Sequence, residues 1–273
     1  MTIRRSPSAT LALGLALVVG CAGVSEAPNA LPVRHAMVFD QLVVYSDFNL
    51  PQHDRLVDDL RQLRSDVTKA VNLPGSSESI HVYLFENEDR FRDFLAKQHP
   101  EFPARRAFFV EQEARLTVYA QWSDRVAEDL RHEVAHGYLH SMVHNIPLWL
   151  DEGLAEYFEV PRGSAGLNRP HVRLLLAKQL QTGWRPDLAR LERLEDVGGL
   201  TQEDYAEAWL WTHWLLETDP QRRALVQGYL QTLRKHGSAE PLSSTVVQVA
   251  AQPEQALMQH LYGLAPQLAA QSP

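Results

Sequence analysis

The sequence predicts an α+β protein in which a small N-terminal layer of helix on mixed sheet leads into a mainly helical lobe. Three observations predict it. Up to Ala120, short β-branched and aromatic runs alternate with stretches of helical period. From Ser123 onward the apolar spacing is helical almost throughout, and no internal repeat or low-complexity tract interrupts the order. Hydrophobic residues make up 45% of the 273 positions and charged residues 22%, which is enough apolar material to bury a substantial core.

Taken in order, Leu42 to Tyr45 is an apolar run expected as a strand, and the fold is expected to begin near Phe39. After Pro51, the residues Leu56, Leu60, Leu63, Val67 and Ala70 recur at helical spacing, and Leu73-Pro74-Gly75 ends that helix. Ile80, Val82 and Leu84 then alternate with His81, Tyr83 and Phe85 as in a strand. A short helix is expected to carry Phe91, Phe94 and Leu95. Ala107 to Val110 and Leu116 to Ala120 are strand-like runs parted by the polar stretch Glu111 to Arg115, which suggests a hairpin. Ser123 and Asp124 suit a helix start, with Val126, Leu130 and Val134 forming its apolar stripe. Further helical patterns cover Pro147 to Phe158, His171 to Leu180, Tyr205 to Leu216 and Ala224 to Leu233.

The formal charge is −8, and the 26 basic residues are scattered without a dense run, so nucleic acid is excluded as an expected partner. At the start of the chain, Arg4 and Arg5 precede an apolar stretch from Ala9 to Gly20 that is too short to span a bilayer as a mature helix. It reads as a signal peptide. Val18-Val19-Gly20 runs directly into Cys21, the one cysteine of the chain, and this resembles the lipobox of bacterial lipoproteins. The resemblance implies lipidation of Cys21 and a chain anchored at a bacterial cell envelope; Ala22 after the cysteine implies the outer membrane, facing the periplasm. Residues 21–38, with the Ala-, Pro- and Ser-rich stretch up to about Ala36, are expected to be a tether.

The chemistry is concentrated in Arg131-His132-Glu133-Val134-Ala135-His136-Gly137-Tyr138-Leu139-His140, which contains His-Glu-x-x-His. On a helix, four residues advance about 6 Å and return to nearly the same face, so His132 and His136 can converge on one ion. Glu133 then flanks the ion and is placed to take a proton from water. A short motif arises by chance often enough that a third ligand must decide, since a catalytic zinc site needs three protein ligands and an open position. His140 and His144 continue the stripe at four-residue spacing, so a histidine ladder for metal storage is the other reading; it leaves Glu133 without a purpose.

Pro147-Leu148-Trp149-Leu150-Asp151-Glu152-Gly153-Leu154-Ala155-Glu156-Tyr157 follows a turn at Asn145. Together with the His-Glu-x-x-His helix it resembles the gluzincin metallopeptidases, in particular the peptidase-MA-like group that includes bacterial lipoproteins of uncharacterised function. Leu139 and Met142 stand where the metzincin pattern requires Gly and His. The resemblance implies a zincin architecture over residues 39–160, a helical C-terminal lobe over 161–273, and a bound Zn2+ held by His132, His136 and Glu152. The spacer between His136 and Glu152 is shorter than in the large aminopeptidases, which implies a tight connection between the two helices.

Glu156, one turn beyond Glu152, is expected to hydrogen-bond the outer nitrogen of a zinc-bound histidine, or else to be the ligand itself. Asp151 and Glu159 are expected as solvated helix charges. The segment from Tyr205 to Leu216 is similar to the helix in which such enzymes carry an oxyanion-stabilising tyrosine, which implies that role for Tyr205, although Ala208 stands where Gly is frequent. His213, among Trp209, Trp211 and Trp214, reads as a packed interior histidine. The function expected is zinc-dependent hydrolysis of a peptide or protein substrate, with Glu133 as general base and Leu116 to Ala120 accepting an extended peptide by strand addition. The alternative is a non-catalytic envelope scaffold or peptide-binding pseudo-peptidase that keeps the zinc site.

Overall fold

The computed structural model describes residues 30–50, 55–100, 105–112 and 115–268. Residues 1–20, expected as a signal peptide, and Cys21 lie outside the described residues. The strands are β1 (His35–Phe39), β2 (Leu42–Ser46), β3 (Ile80–Phe85), β4 (Ala107–Gln112) and β5 (Arg115–Gln121). The helices are α1 (Arg55–Val71), α2 (Glu88–Gln98), α3 (Val126–His140), α4 (Leu148–Glu159), α5 (Arg169–Thr182), α6 (Leu188–Leu191), α7 (Gln202–Glu217), α8 (Pro220–His236), α9 (Leu242–Thr245) and α10 (Pro253–Leu264). The fold class is α+β as expected.

The sheet is mixed and five-stranded, in the order β1-β2-β3-β5-β4. β2, β3 and β5 run parallel, while β1 and β4 pair antiparallel at the two edges. Period-two alternation gives both faces a cover. Ile80, Val82 and Leu84 join the main core with α1 and α3, whereas Tyr83 and Phe85 point to a smaller cluster roofed by Phe91, Phe94 and Leu95 of α2. The main core runs continuously from Leu42 to Leu264, so residues on both sides of position 160 share it.

Three expectations need correction here. The fold begins before Phe39, because β1 starts at His35 and satisfies its backbone by pairing with β2. β5 cannot accept an added strand, since β3 and β4 occupy both of its sides; the exposed edge beside α3 is β4. Helix α3 starts at Val126, and Ser123 serves one step earlier, accepting a hydrogen bond from the Arg125 amide. The four-residue α6 and α9 are too short to show an apolar period, whereas α10 carries one in Leu257, Met258, Leu261 and Leu264 and is a helix not among those expected. No helix among the described residues is long and apolar enough to cross a membrane.

Candidate metal centre

Two helices make the site. α3 lies on the sheet closely enough that a Cβ added at Gly137 would sit 2.9 Å from Ile80 Cγ2. A reversal through Asn145, whose φ of 60° is the left-handed conformation that asparagine tolerates, brings α4 back beside α3. The two helices run antiparallel: Asp151 lies against His136 and His140, and Glu159 against Arg131 and His132. Gly153 sets the approach on the other flank of α4. A Cβ there would stand 2.4 Å from Thr212 Oγ1 and 2.5 Å from the Ala208 carbonyl oxygen of α7. That is the physical content of the Glu-Gly pair: the glycine lets α7 close on the helix that carries Glu152.

Three ligand atoms form a triangle. His132 Nε2 and His136 Nε2 are 3.3 Å apart, and Glu152 Oε2 lies 3.4 Å from the first and 3.6 Å from the second. Tetrahedral zinc with ligand bonds of about 2.0–2.2 Å requires neighbouring ligand atoms roughly 3.4 Å apart. The residues present therefore fit the ion. A Glu133 carboxylate oxygen lies within 4.8 Å of ring nitrogens of both histidines, beside this triangle.

The outer nitrogens are held from α4. His132 Nδ1 is hydrogen-bonded to Glu159 Oε2 at 3.1 Å, and His136 Nδ1 stands 3.0 Å from Asp151 Oδ1 as a close ion-pair contact without hydrogen-bond alignment. Protons on both Nδ1 atoms leave both Nε2 lone pairs turned to the common centre beside the Glu152 oxygen, a convergence of acceptors that calls for a cation. The same fact shows in the proton affinities. Burial works against a charged His136, but Asp151 and Glu152 outweigh it and push its pKa up to about 10. His132 is raised well above the ordinary value against the same burial penalty, by Glu152 and Glu159. Glu152 is burdened by burial yet drawn down to about 2 by the two imidazoles. Glu133 moves the other way: burial raises it, and His132, His136 and Arg105 only partly offset this.

The roles expected of the acidic residues on α4 are thereby redistributed. Glu156 does not meet the outer nitrogen of a site histidine; its Oε2 accepts from His171 Nε2 at 2.7 Å and from Asn168 Nδ2 at 3.3 Å. Asp151 and Glu159 are not solvated charges but largely buried partners of the histidines. The reason is register. With α4 antiparallel to α3, His136 meets a residue before Glu152, and His132 meets one two turns after it. His140 is likewise an interhelix residue, bridging Asp151 Oδ2 at 2.9 Å and Glu111 Oε2 of the edge strand at 2.7 Å, while His144 stays exposed.

Residues 126–242 match a family model described as "Protein of unknown function (DUF1570)". The chain carries a DUF1570 domain. It opens at the first residue of α3, and it contains the whole triangle, both outer-nitrogen carboxylates and Tyr205. No curated protein matches the chain.

Within the DUF1570 domain, α7 delivers Tyr205 to the site: burial and the nearby Glu152 raise its pKa to about 12. Arg105, just ahead of β4 and outside the DUF1570 match, donates a hydrogen bond to the Tyr205 phenol and lies near Glu133. Sequence reasoning missed Arg105, as one arginine of a pair beside a strand gives no signal. His213 is buried as expected, with its Nδ1 2.9 Å from Nε2 of His260 on α10.

Proposed function

We propose that this protein is a zinc-dependent peptidase of gluzincin type, acting at the cell envelope from a lipid anchor at Cys21. The observation that carries the proposal is the triangle of His132 Nε2, His136 Nε2 and Glu152 Oε2, whose edges of 3.3–3.6 Å suit a tetrahedral zinc. A zinc ion held by His132, His136 and Glu152 would supply Lewis acidity, lowering the pKa of a water bound to it to about 7. Glu133, its own pKa raised by burial, accepts the proton and returns it to the leaving nitrogen. Tyr205 donates to the oxygen of the scissile carbonyl as negative charge develops on it. Arg105 can only donate, so its hydrogen bond occupies the phenol oxygen and leaves the phenolic proton for that oxyanion. An extended substrate pairs along β4, the edge strand whose Phe109 stacks on His136.

The test measures bound zinc and hydrolysis of a peptide library by the purified protein, with and without a chelator. One zinc per chain and chelator-sensitive cleavage are expected. Glu133→Gln should keep the zinc and lose about 10²–10⁴-fold in rate. A wild-type protein that binds zinc but cleaves no peptide would favour a peptide-binding scaffold, and one that binds no zinc would end the reading.

A further inference from the structure

The carboxylate against His132 does not hold its own position. Glu159 lies in the last turn of α4, and its Oε2 faces His132 Nδ1. Its other oxygen, Oε1, accepts from Asn168 Nδ2 at 2.8 Å. Asn168 is almost fully buried and sits at the N-cap of α5, where its Oδ1 accepts from the His171 amide at 3.3 Å. These contacts fix which way the amide points. The flipped orientation would set Oδ1 against the carboxylates of both Glu156 and Glu159, and the NH2 group against a backbone N–H. The two protons of Nδ2 are directed at the two carboxylates, and the Glu156 oxygen is further held by His171 Nε2.

We propose that Asn168 is a positioning residue for the metal site, holding the Glu159 carboxylate against His132 Nδ1 and so fixing the ring whose Nε2 faces the triangle. This rests on the metal-site reading above. The arrangement divides one side chain between two tasks. Its oxygen starts α5, and its nitrogen aligns a carboxylate two contacts from the ligand atom. The two tasks are separable by substitution, because serine is as good an N-cap as asparagine but has no amide to reach Glu159.

The experiment compares Asn168→Ser with wild type in the full chain, with Asp219→Ala as a control that removes the N-cap of α8 far from the site. Zinc dissociation constants are read by chelator competition and folding by thermal melting. Asn168→Ser should melt close to wild type and bind zinc about tenfold more weakly, at the low end of what loss of an outer-layer partner costs. Asp219→Ala should lower the melting temperature and leave zinc affinity alone. In a Glu159→Ala background, Asn168→Ser should cost nothing further, because it acts through Glu159. A readout without metal is the Nδ1-bound proton of His132 in NMR spectra, which should exchange slowly in wild type and broaden in Asn168→Ser. Unchanged proton exchange, or an affinity loss that persists in the Glu159→Ala background, would overturn the inference. Failure of wild type to bind zinc would count against the metal reading, and the proton readout would still decide the role of Asn168.

Discussion

Replacing Gly153 by alanine tests whether the α4–α7 contact sets the metal geometry. The new methyl would stand 2.4 Å from Thr212 Oγ1 and 2.5 Å from the Ala208 carbonyl oxygen, where an ordinary contact needs 3.4 Å or more. Thr212 can rotate its hydroxyl away, but the carbonyl is backbone in a buried helix and cannot. α4 must therefore shift from α7 by about 1 Å, toward α3 and the triangle. Metal sites tolerate ligand displacements of only about 0.2 Å, so a rigid shift of this size takes Glu152 out of range while the histidines stay on α3. Overpacking costs about 1–3 kcal/mol, offset by about 1 kcal/mol from the better helix propensity of alanine. The variant should thus fold, melt a few degrees lower and bind zinc at least tenfold more weakly. Chelator competition measures the second quantity and calorimetry the first. Wild-type zinc affinity in Gly153→Ala would refute the claim that glycine is required for the approach of the two helices.

Glu152→Gln should strip the zinc that Glu133→Gln retains, checked by metal content after gel filtration against a mild chelator. Asp151→Asn and Glu159→Gln should each weaken zinc binding by about 10–100-fold, and Glu156→Gln by less, because Glu156 is hydrogen-bonded to His171 and Asn168 instead of a site histidine; an order with Glu156 first would invert the assignment. The His213–His260 pair gives a pH dependence. Burial holds the His213 pKa down at about 4, below its unfolded value of about 6.5. The unfolded chain then binds more protons between those values, so stability is complete above about pH 6.5 and falls as pH drops toward 4, by up to about 3 kcal/mol from this residue. Urea melts of the chelated protein at pH 7.0 and 4.5 should show a smaller drop for His213→Leu than for wild type, and equal drops would remove His213 as the cause.

The sheet was legible because strand and helix periods differ: Ile80, Val82 and Leu84 alternate, whereas Leu56, Leu60 and Leu63 follow a helical turn, and both patterns map onto the core. β1 was not, since a five-residue edge strand with exposed Ala36 and Val38 buries too little to leave a pattern. At the site, His132, Glu133 and His136 were named from spacing within one helix and Glu152 from the resemblance of its segment to the second helix of gluzincins, and the structure brings the four together. The partners of the histidines were not readable in the same way. They depend on the relative direction and register of α3 and α4, which no single-helix periodicity contains, and Glu156 at one turn from Glu152 looked better placed than Glu159 at two. Arg105 and Asn168 come from other elements altogether, so their parts in the site exist only once the chain is folded.

Helix α4 carries Glu152, the proposed third ligand, and the carboxylates that face both outer nitrogens, and it has no basic residue, with Glu159 at its C-terminal end where the helix dipole is already negative. Apart from the fold it would be a self-repelling segment of four acids in twelve residues. What offsets it is borrowed from elsewhere: His132 and His136 on α3, His171 on α5, Arg131 through its bond to the Glu159 backbone carbonyl at the helix end, and the cation proposed at the triangle. On the proposed zinc site, metal loading and the seating of α4 become one thermodynamic event. Stripping the metal should loosen this helix first, raising hydrogen exchange along Leu148–Glu159 while the sheet beneath α3 keeps its protection.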